Sequence, residues 1–166
     1  MKLEIGAGNG NAYGFIHTDL NLVPNHHVEV VCRGESLPFL SDTFEYVYML
    51  GVFEHFNYEQ AKEALRECYR VLKAGCTLDF TTPDLEAVCR IIVNDRLPFK
   101  EERRSPLEYA LGCLYGGQDR PGQIHQWGWT RASISTELVN VGFSRYHITD
   151  DAYEPGTHLR VVATKV

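Results

Sequence analysis

The chain has 166 residues, 44% apolar and 23% charged, the size and make-up of one globular domain. That balance excludes a disordered chain, a collagen, a disulfide scaffold and a membrane span. With 22 acidic against 16 basic residues the net charge is −6, so nucleic acid and anionic membranes are disfavoured partners unless basic residues gather locally.

From the N-terminus, short apolar runs alternate with helical patterns, the mark of an α/β sheet. Leu3–Ile5 predicts a strand that ends in Gly6-Ala7-Gly8-Asn9-Gly10. Phe15–Asp19, Val28–Cys32, Tyr46–Leu50 and Thr77–Thr81 predict four more strands. Asn57 with Gln60 three residues on forms a capping box. Behind it Ala61, Ala64, Leu65, Cys68 and Leu72 fall on one helical face, and Gly75 stands where a helix-ending glycine belongs. Ser105-Pro106-Leu107-Glu108 is a second capping box with Pro at the first helical position. Thr130 opens a helix that Gly142 closes, with Ile134, Leu138 and Val141 along one side. Ser144–Thr149 and Leu159–Lys165 predict a final antiparallel pair. One domain, 1–166, is expected, with the polar, glycine-rich passage 94–129 as a lid or substrate-side insertion.

The five cysteines, an odd number without a C-x-x-C pair, predict buried reduced thiols and a cytoplasmic setting. Met1-Lys2 runs straight into the first strand, so no signal peptide is expected. His26-His27 has no second ligand cluster in the sequence, and no metal is expected.

Glycines behind a first strand let backbone N–H groups approach a ligand closely. The spacing here is G-x-G-x-G rather than the dinucleotide fingerprint G-x-G-x-x-G. Asp19 ends the second strand, where an acid accepts hydrogen bonds from ribose hydroxyls; as plain chemistry Asp-Leu-Asn is also a good turn.

Five pieces in order carry a resemblance. Leu3-Glu4-Ile5-Gly6-Ala7-Gly8-Asn9-Gly10 resembles the glycine motif of class I S-adenosylmethionine-dependent methyltransferases. Leu37-Pro38-Phe39 with Asp42-Thr43-Phe44-Glu45-Tyr46-Val47-Tyr48 resembles the family's passage into its fourth strand. Val52-Phe53-Glu54-His55-Phe56 resembles the turn after that strand, and Arg70-Val71-Leu72-Lys73-Ala74-Gly75 the family's R-V-L-K-P-G-G. Asp84 after Thr82-Pro83 is placed as in a small subgroup.

The resemblance implies a Rossmann-like seven-stranded mixed sheet with helices on both faces and its last strand antiparallel. It implies S-adenosyl-L-methionine as cofactor. Glu4, Gly6, Ala7 and Gly8 would meet its methionine part, Asp19 the ribose and Leu20 the adenine. The turn of Gly34, Glu35 and Ser36 would face the adenine edge, and Glu54 and His55 the methyl group. The function implied is in-line methyl transfer to a small-molecule or glycan-type (carbohydrate) acceptor. His55 and then His125 are the candidate general bases. Asp84 is either an acceptor contact or a helix N-cap. Trp127 and Trp129 either wall the acceptor or pack the loop onto the sheet.

Three departures stand out. Eight residues separate Gly10 from Asp19, too few for a full crossover helix, so the first crossover helix is truncated and that sheet face is thinly covered or covered by a partner such as a second copy in a homodimer. Arg33 stands where the family commonly has an acid, leaving backbone groups of Gly34 and Glu35 to substitute. The family's helix before the first strand is not expected here, because the strand starts at Leu3. Together these motivate an alternative function, a non-catalytic S-adenosylmethionine-binding relative acting as a binding or scaffold subunit.

Overall fold

The computed structural model describes residues 1–8, 13–21, 27–100, 103–119 and 122–166. Asn9 and Gly10 of the glycine motif, Asn11 and Ala12 of the short crossover, and His26 lie outside these residues. In chain order the elements are β1 (Lys2–Ile5), β2 (Phe15–Asp19), β3 (Val30–Val31), β4 (Phe44–Met49), a 3-10 turn (Phe53–His55), α1 (Tyr58–Val71), β5 (Leu72–Pro83), α2 (Leu85–Asn94), α3 (Pro106–Tyr115), α4 (Arg131–Val141), β6 (Arg145–Asp150) and β7 (His158–Thr164).

The strands form one seven-stranded sheet in the order β3-β2-β1-β4-β5-β7-β6. The pairings from β3 through β5 are parallel, and β7 runs antiparallel to both β5 and β6. This is the expected Rossmann-like mixed sheet. The chain steps outward from β1 through β2 to β3, then returns to the other side of β1 with β4. The strand order therefore reverses between β1 and β4, and the loops leaving their C-terminal ends part there to make a crevice.

Alternation decides the two faces. Leu3, Ile5, Val47, Met49, Leu78, Phe80, Leu159, Val161 and Ala163 point to one side and are buried. α1 covers them with Ala61, Ala64, Leu65 and Cys68, and α4 with Ile134 and Leu138. Each fully buried Leu or Phe contributes roughly 1.5–3 kcal/mol, set against a chain-entropy loss of similar overall size. The opposite side presents Lys2, Phe15, Tyr46 and Tyr48, with Phe15 edge-on to Tyr46 at 5.9 Å. Asp79, only 1% exposed, is held there by the Arg160 guanidinium at 2.7 and 3.1 Å and by the Tyr46 hydroxyl.

The helix starts follow their caps. Asn57 accepts from Gln60 N while the Gln60 side chain accepts from Asn57 N. Ser105 and Glu108 reciprocate the same way, and Thr130 caps α4 with Ser133. Three expectations are corrected. α1 stops at Val71, and Gly75 lies inside β5 with φ +78° rather than closing the helix. β3 keeps only Val30–Val31 of the run Val28–Cys32. Of the five free thiols, expected to be buried, only Cys68 is; Cys32, Cys76 and Cys113 are half-buried and Cys89 is exposed.

The passage 94–129 is more structured than a loop. α2 and α3 pack on each other around Val88, Ile91, Tyr109 and Ala110, and Tyr109 reaches the Thr157 hydroxyl at 3.0 Å. The pair thus caps the end of the sheet where β5 stops and β7 starts. No helix among the described residues is long and apolar enough to cross a membrane.

Candidate active site

The glycine loop leaves β1 at the crevice. Gly6 and Gly8 both have positive φ, +68° and +49°. A Cβ on Gly6 would lie 2.5 Å from Val52 Cγ2, so this glycine lets the loops after β1 and β4 touch. Among the described residues a Cβ on Gly8 would meet only the Gly6 carbonyl, at 3.9 Å, so Gly8 faces space that these residues leave open. Ala7 N donates to the Thr18 carbonyl at 2.9 Å, which fixes the loop to β2.

Asp19 sits beside that loop. Its Oδ2 accepts from Gly8 N at 2.9 Å and its Oδ1 from Asn21 N at 3.1 Å. A carboxylate has about four lone-pair sites, so each oxygen keeps capacity for a ligand hydroxyl. Leu20 follows, 53% exposed at the strand's end. Glu4 is placed differently from its neighbours. It is buried and committed to His17, whose Nδ1 lies 2.7 Å from Glu4 Oε2 between β1 and β2.

The turn of residues 33–36 closes the next side. Ser36 N donates to the Arg33 carbonyl at 3.0 Å. Arg33 pairs with Glu35 at 2.6 Å, so the charge that replaces the family's acid is matched by the second residue along. Gly34 is required by packing, since a Cβ would come within 2.7 Å of the Phe56 ring. Leu37-Pro38-Phe39 is tied to α1: Leu37 N donates to Glu67, and Arg70 donates to the Leu37 and Phe39 carbonyls at 3.0 and 2.7 Å.

Glu54 and His55 occupy the 3-10 turn after β4. Glu54 is 5% exposed, and its Oε2 has no hydrogen-bond partner among the described residues. Burial pushes its carboxyl up to about 7, against the downward pull of its own backbone N–H. The segment 124–127 lies directly on this turn. Gln126 N donates to the Glu54 carbonyl at 2.9 Å, and Gln126 Nε2 to the His55 carbonyl at 2.6 Å. His55 and His125 meet edge to face with ring centroids 4.8 Å apart.

Both rings are oriented by backbone carbonyls: His55 Nδ1 by Ile124 O at 3.0 Å, His125 Nδ1 by Cys113 O at 2.8 Å. A carbonyl only accepts, so each Nδ1 carries the proton and each Nε2 of the neutral ring keeps its lone pair. Burial holds the His125 imidazolium below its ordinary range, with the Cys113 carbonyl opposing and the His55 and His158 rings adding to the fall.

Beside His125 opens a cleft of about 220 Å³, with Leu85, Val88, Leu114 and Trp127 among its walls. Trp129 is wholly buried against Phe53 at 4.9 Å, while Trp127 lies half exposed on Tyr58 at 5.1 Å. The first packs the loop onto the sheet and the second borders the cleft. Asp84 is an N-cap: its Oδ1 accepts from Glu86 N at 3.0 Å. Sequence reasoning missed Gln126, whose partners lie about 70 positions away, and no local pattern marks it.

Residues 18–80 match the family model described as a methyltransferase domain. No curated protein matches the chain. Among solved structures, a SAM-dependent methyltransferase from Archaeoglobus fulgidus superposes with a TM-score of 0.65 at 14% identity, covering 99% of this chain and 85% of that one. The chain thus has the fold of these methyltransferases, and residues 18–80 are similar to a methyltransferase domain. A Burkholderia thailandensis 1,6-didemethyltoxoflavin-N1-methyltransferase, solved with its substrate and S-adenosylhomocysteine, gives 0.63 at 14% identity over 99% of this chain and 70% of its own. The CMeT domain of the citrinin polyketide synthase gives 0.62 at 16%; this chain spans 46% of that one.

The cofactor named for these neighbours is S-adenosylmethionine, present as S-adenosylhomocysteine in the Burkholderia enzyme. The residues present suit it. Gly8 faces space that the described residues leave open, Asp19 has acceptor capacity next to it, and an exposed apolar Leu20 stands ready for a flat base.

Proposed function

We propose that this methyltransferase acts on a small-molecule or carbohydrate acceptor held between the His55–His125 pair and the cleft bordered by Trp127. One observation carries the reading. The Gly6–Val52 contact brings the glycine loop against the turn that bears Glu54 and His55, so the cofactor's seat and the histidine pair share one crevice. When bound, S-adenosylmethionine would supply an electrophilic methyl carbon, open to in-line attack by the acceptor with the sulfur of S-adenosylhomocysteine as leaving group.

The protein's part is to orient and to take a proton. Gly6, Ala7, Gly8, Asp19, Leu20 and the turn Gly34–Ser36 bind the cofactor. Glu4 supports that loop from behind through His17. His55, with Nδ1–H held by the Ile124 carbonyl, accepts the acceptor's proton on Nε2, and His125 is the second candidate. An acidic surface with net charge −6 favours small or sugar acceptors over nucleic acid.

Calorimetry with S-adenosylhomocysteine tests the cofactor site. Saturable binding, weakened at least tenfold by Asp19→Ala, is the expected result; no heat and no thermal shift at millimolar ligand would sink the reading. An acceptor panel followed by mass spectrometry then tests the base. His55→Ala should cut turnover on a hydroxyl acceptor by about 10²–10⁴-fold while leaving S-adenosylhomocysteine affinity alone.

A further inference from the structure

Glu54, His55 and His125 each offer a ligand atom within 4.8 Å of those of the other two. Three features distinguish this cluster from a chance meeting of polar side chains. The Glu54 carboxylate is buried with Oε2 unpartnered, a loss that a native interior normally avoids. Both imidazoles already make the Nδ1–H to carbonyl bond that orients metal-ligating histidines. And the backbone that carries the three is knitted together by Gln126 before any ligand arrives.

We propose that Glu54, His55 and His125 form a binding site for a divalent transition-metal ion, with open positions facing the acceptor side of the crevice. Two imidazoles and one carboxylate suit zinc, cobalt or iron rather than magnesium or calcium, which take oxygen ligands. A tetrahedral ion with bonds of about 2.1 Å sets its ligands about 3.4 Å apart. The cluster therefore contracts by about 1 Å or more on loading, and the partly exposed His55 ring is the side chain free to move.

The consequence for the acceptor rests on the proposed methyl-transfer reading. A bound ion takes both histidine lone pairs, so in the loaded protein the ion replaces His55 in activating the acceptor, and His55 acts as the base only in the metal-free protein. The acceptor group is then an oxygen donor that coordinates an open position, such as a hydroxyl flanked by a carbonyl or carboxylate. The ion's charge lowers that hydroxyl's pKa and its proton leaves to water.

The test uses the whole chain, stripped of metal with a chelator and then titrated with zinc alone by calorimetry. Cobalt serves as a second probe through its visible ligand-field absorption. One equivalent of either ion should bind, at least tenfold more weakly to Glu54→Gln and His125→Asn, while His147→Ala, on β6, stays within twofold of wild type. Glu54→Gln keeps the side chain's shape, and an unchanged far-ultraviolet spectrum confirms the fold. No saturable binding, equal affinity in the site variants, or an equal loss in His147→Ala overturns the proposal. S-adenosylhomocysteine binding measured on the same samples without metal keeps the two readings apart. Cofactor binding without metal binding removes this inference alone; metal binding without cofactor binding removes the methyltransferase reading alone.

Discussion

Gly6 lies so close to Val52 that a Cβ on it would be 2.5 Å from Cγ2, whereas a Cβ on Gly8 would meet nothing nearer than 3.9 Å among the described residues. Both glycines have positive φ. Left-handed backbone costs an L-residue roughly 1–2 kcal/mol, and overpacking a filled site roughly 1–3 more. Gly6→Ala therefore loses about 2–5 kcal/mol in urea unfolding. Gly8→Ala loses only about 1–2 kcal/mol. It keeps the fold but should weaken S-adenosylhomocysteine binding, because its methyl would project into the space proposed for the cofactor. Two variants of equal stability would contradict this division.

The two tryptophans separate packing from function. Trp129 is fully buried, yet its Nε1 has no partner among the described residues. Trp129→Ala opens a cavity costing about 3–5 kcal/mol. Trp129→Phe opens a smaller one and also removes the unpaired N–H, whose burial costs about 1–3 kcal/mol, so its net loss is close to 1 kcal/mol or less. Trp127, 46% exposed at the cleft, should behave oppositely. Trp127→Ala leaves the melting temperature nearly unchanged and raises the KM for the acceptor. Thermal melts beside steady-state kinetics decide both.

Local chemistry made part of this molecule legible. The capping boxes at Asn57 and Ser105 are complete within four residues, so each helix start follows from its own sequence. Phe15–Asp19 carried its strand boundaries correctly. Where neighbours in space decide, sequence falls short. Leu72–Gly75 has the composition of a helix end, but Leu72 pairs with Phe44, and Gly75 N donates to the Lys165 carbonyl. Sheet pairing extends β5 through a glycine that looked like a cap. In the site, the family's motifs drew attention to Glu54 and His55. The orientation of His55 and the place of His125 come from carbonyls of Ile124 and Cys113, which no spacing rule connects.

Stability should fall in acid through Glu67. The Arg70 guanidinium holds its carboxyl below the usual range, and the hydrogen bond from Leu37 N adds to that against partial burial. A depressed folded pKa means the contribution is present above the unfolded value of about 4.3 and is lost as pH falls through the folded value. Glu67→Gln should be less stable than wild type by about 1 kcal/mol at neutral pH. Once the pH has fallen below the folded value the protonated wild type resembles the variant and the urea midpoints converge. A gap that stays constant across this range would assign the effect to shape rather than charge.

Gln126 joins the two halves of the candidate active site without being one of its chemical groups. Its backbone N–H and its side-chain amide hold the Glu54 and His55 carbonyls at 2.9 and 2.6 Å. Gln126→Ala keeps the first bond and removes the second. One exposed hydrogen bond is worth about 0.5–1.5 kcal/mol, a shift of only a few degrees in a chain of this size. The effect on chemistry should be larger, because a displacement near 1 Å between catalytic group and acceptor costs about 10²-fold. The expected pattern is a drop of at least tenfold in kcat with S-adenosylhomocysteine affinity within twofold of wild type. Gln126→Glu separates geometry from charge, since a carboxylate cannot donate to the His55 carbonyl. It should match the alanine variant in kcat at neutral pH, and a fully active Gln126→Glu would show that the His55 turn is held without this bond.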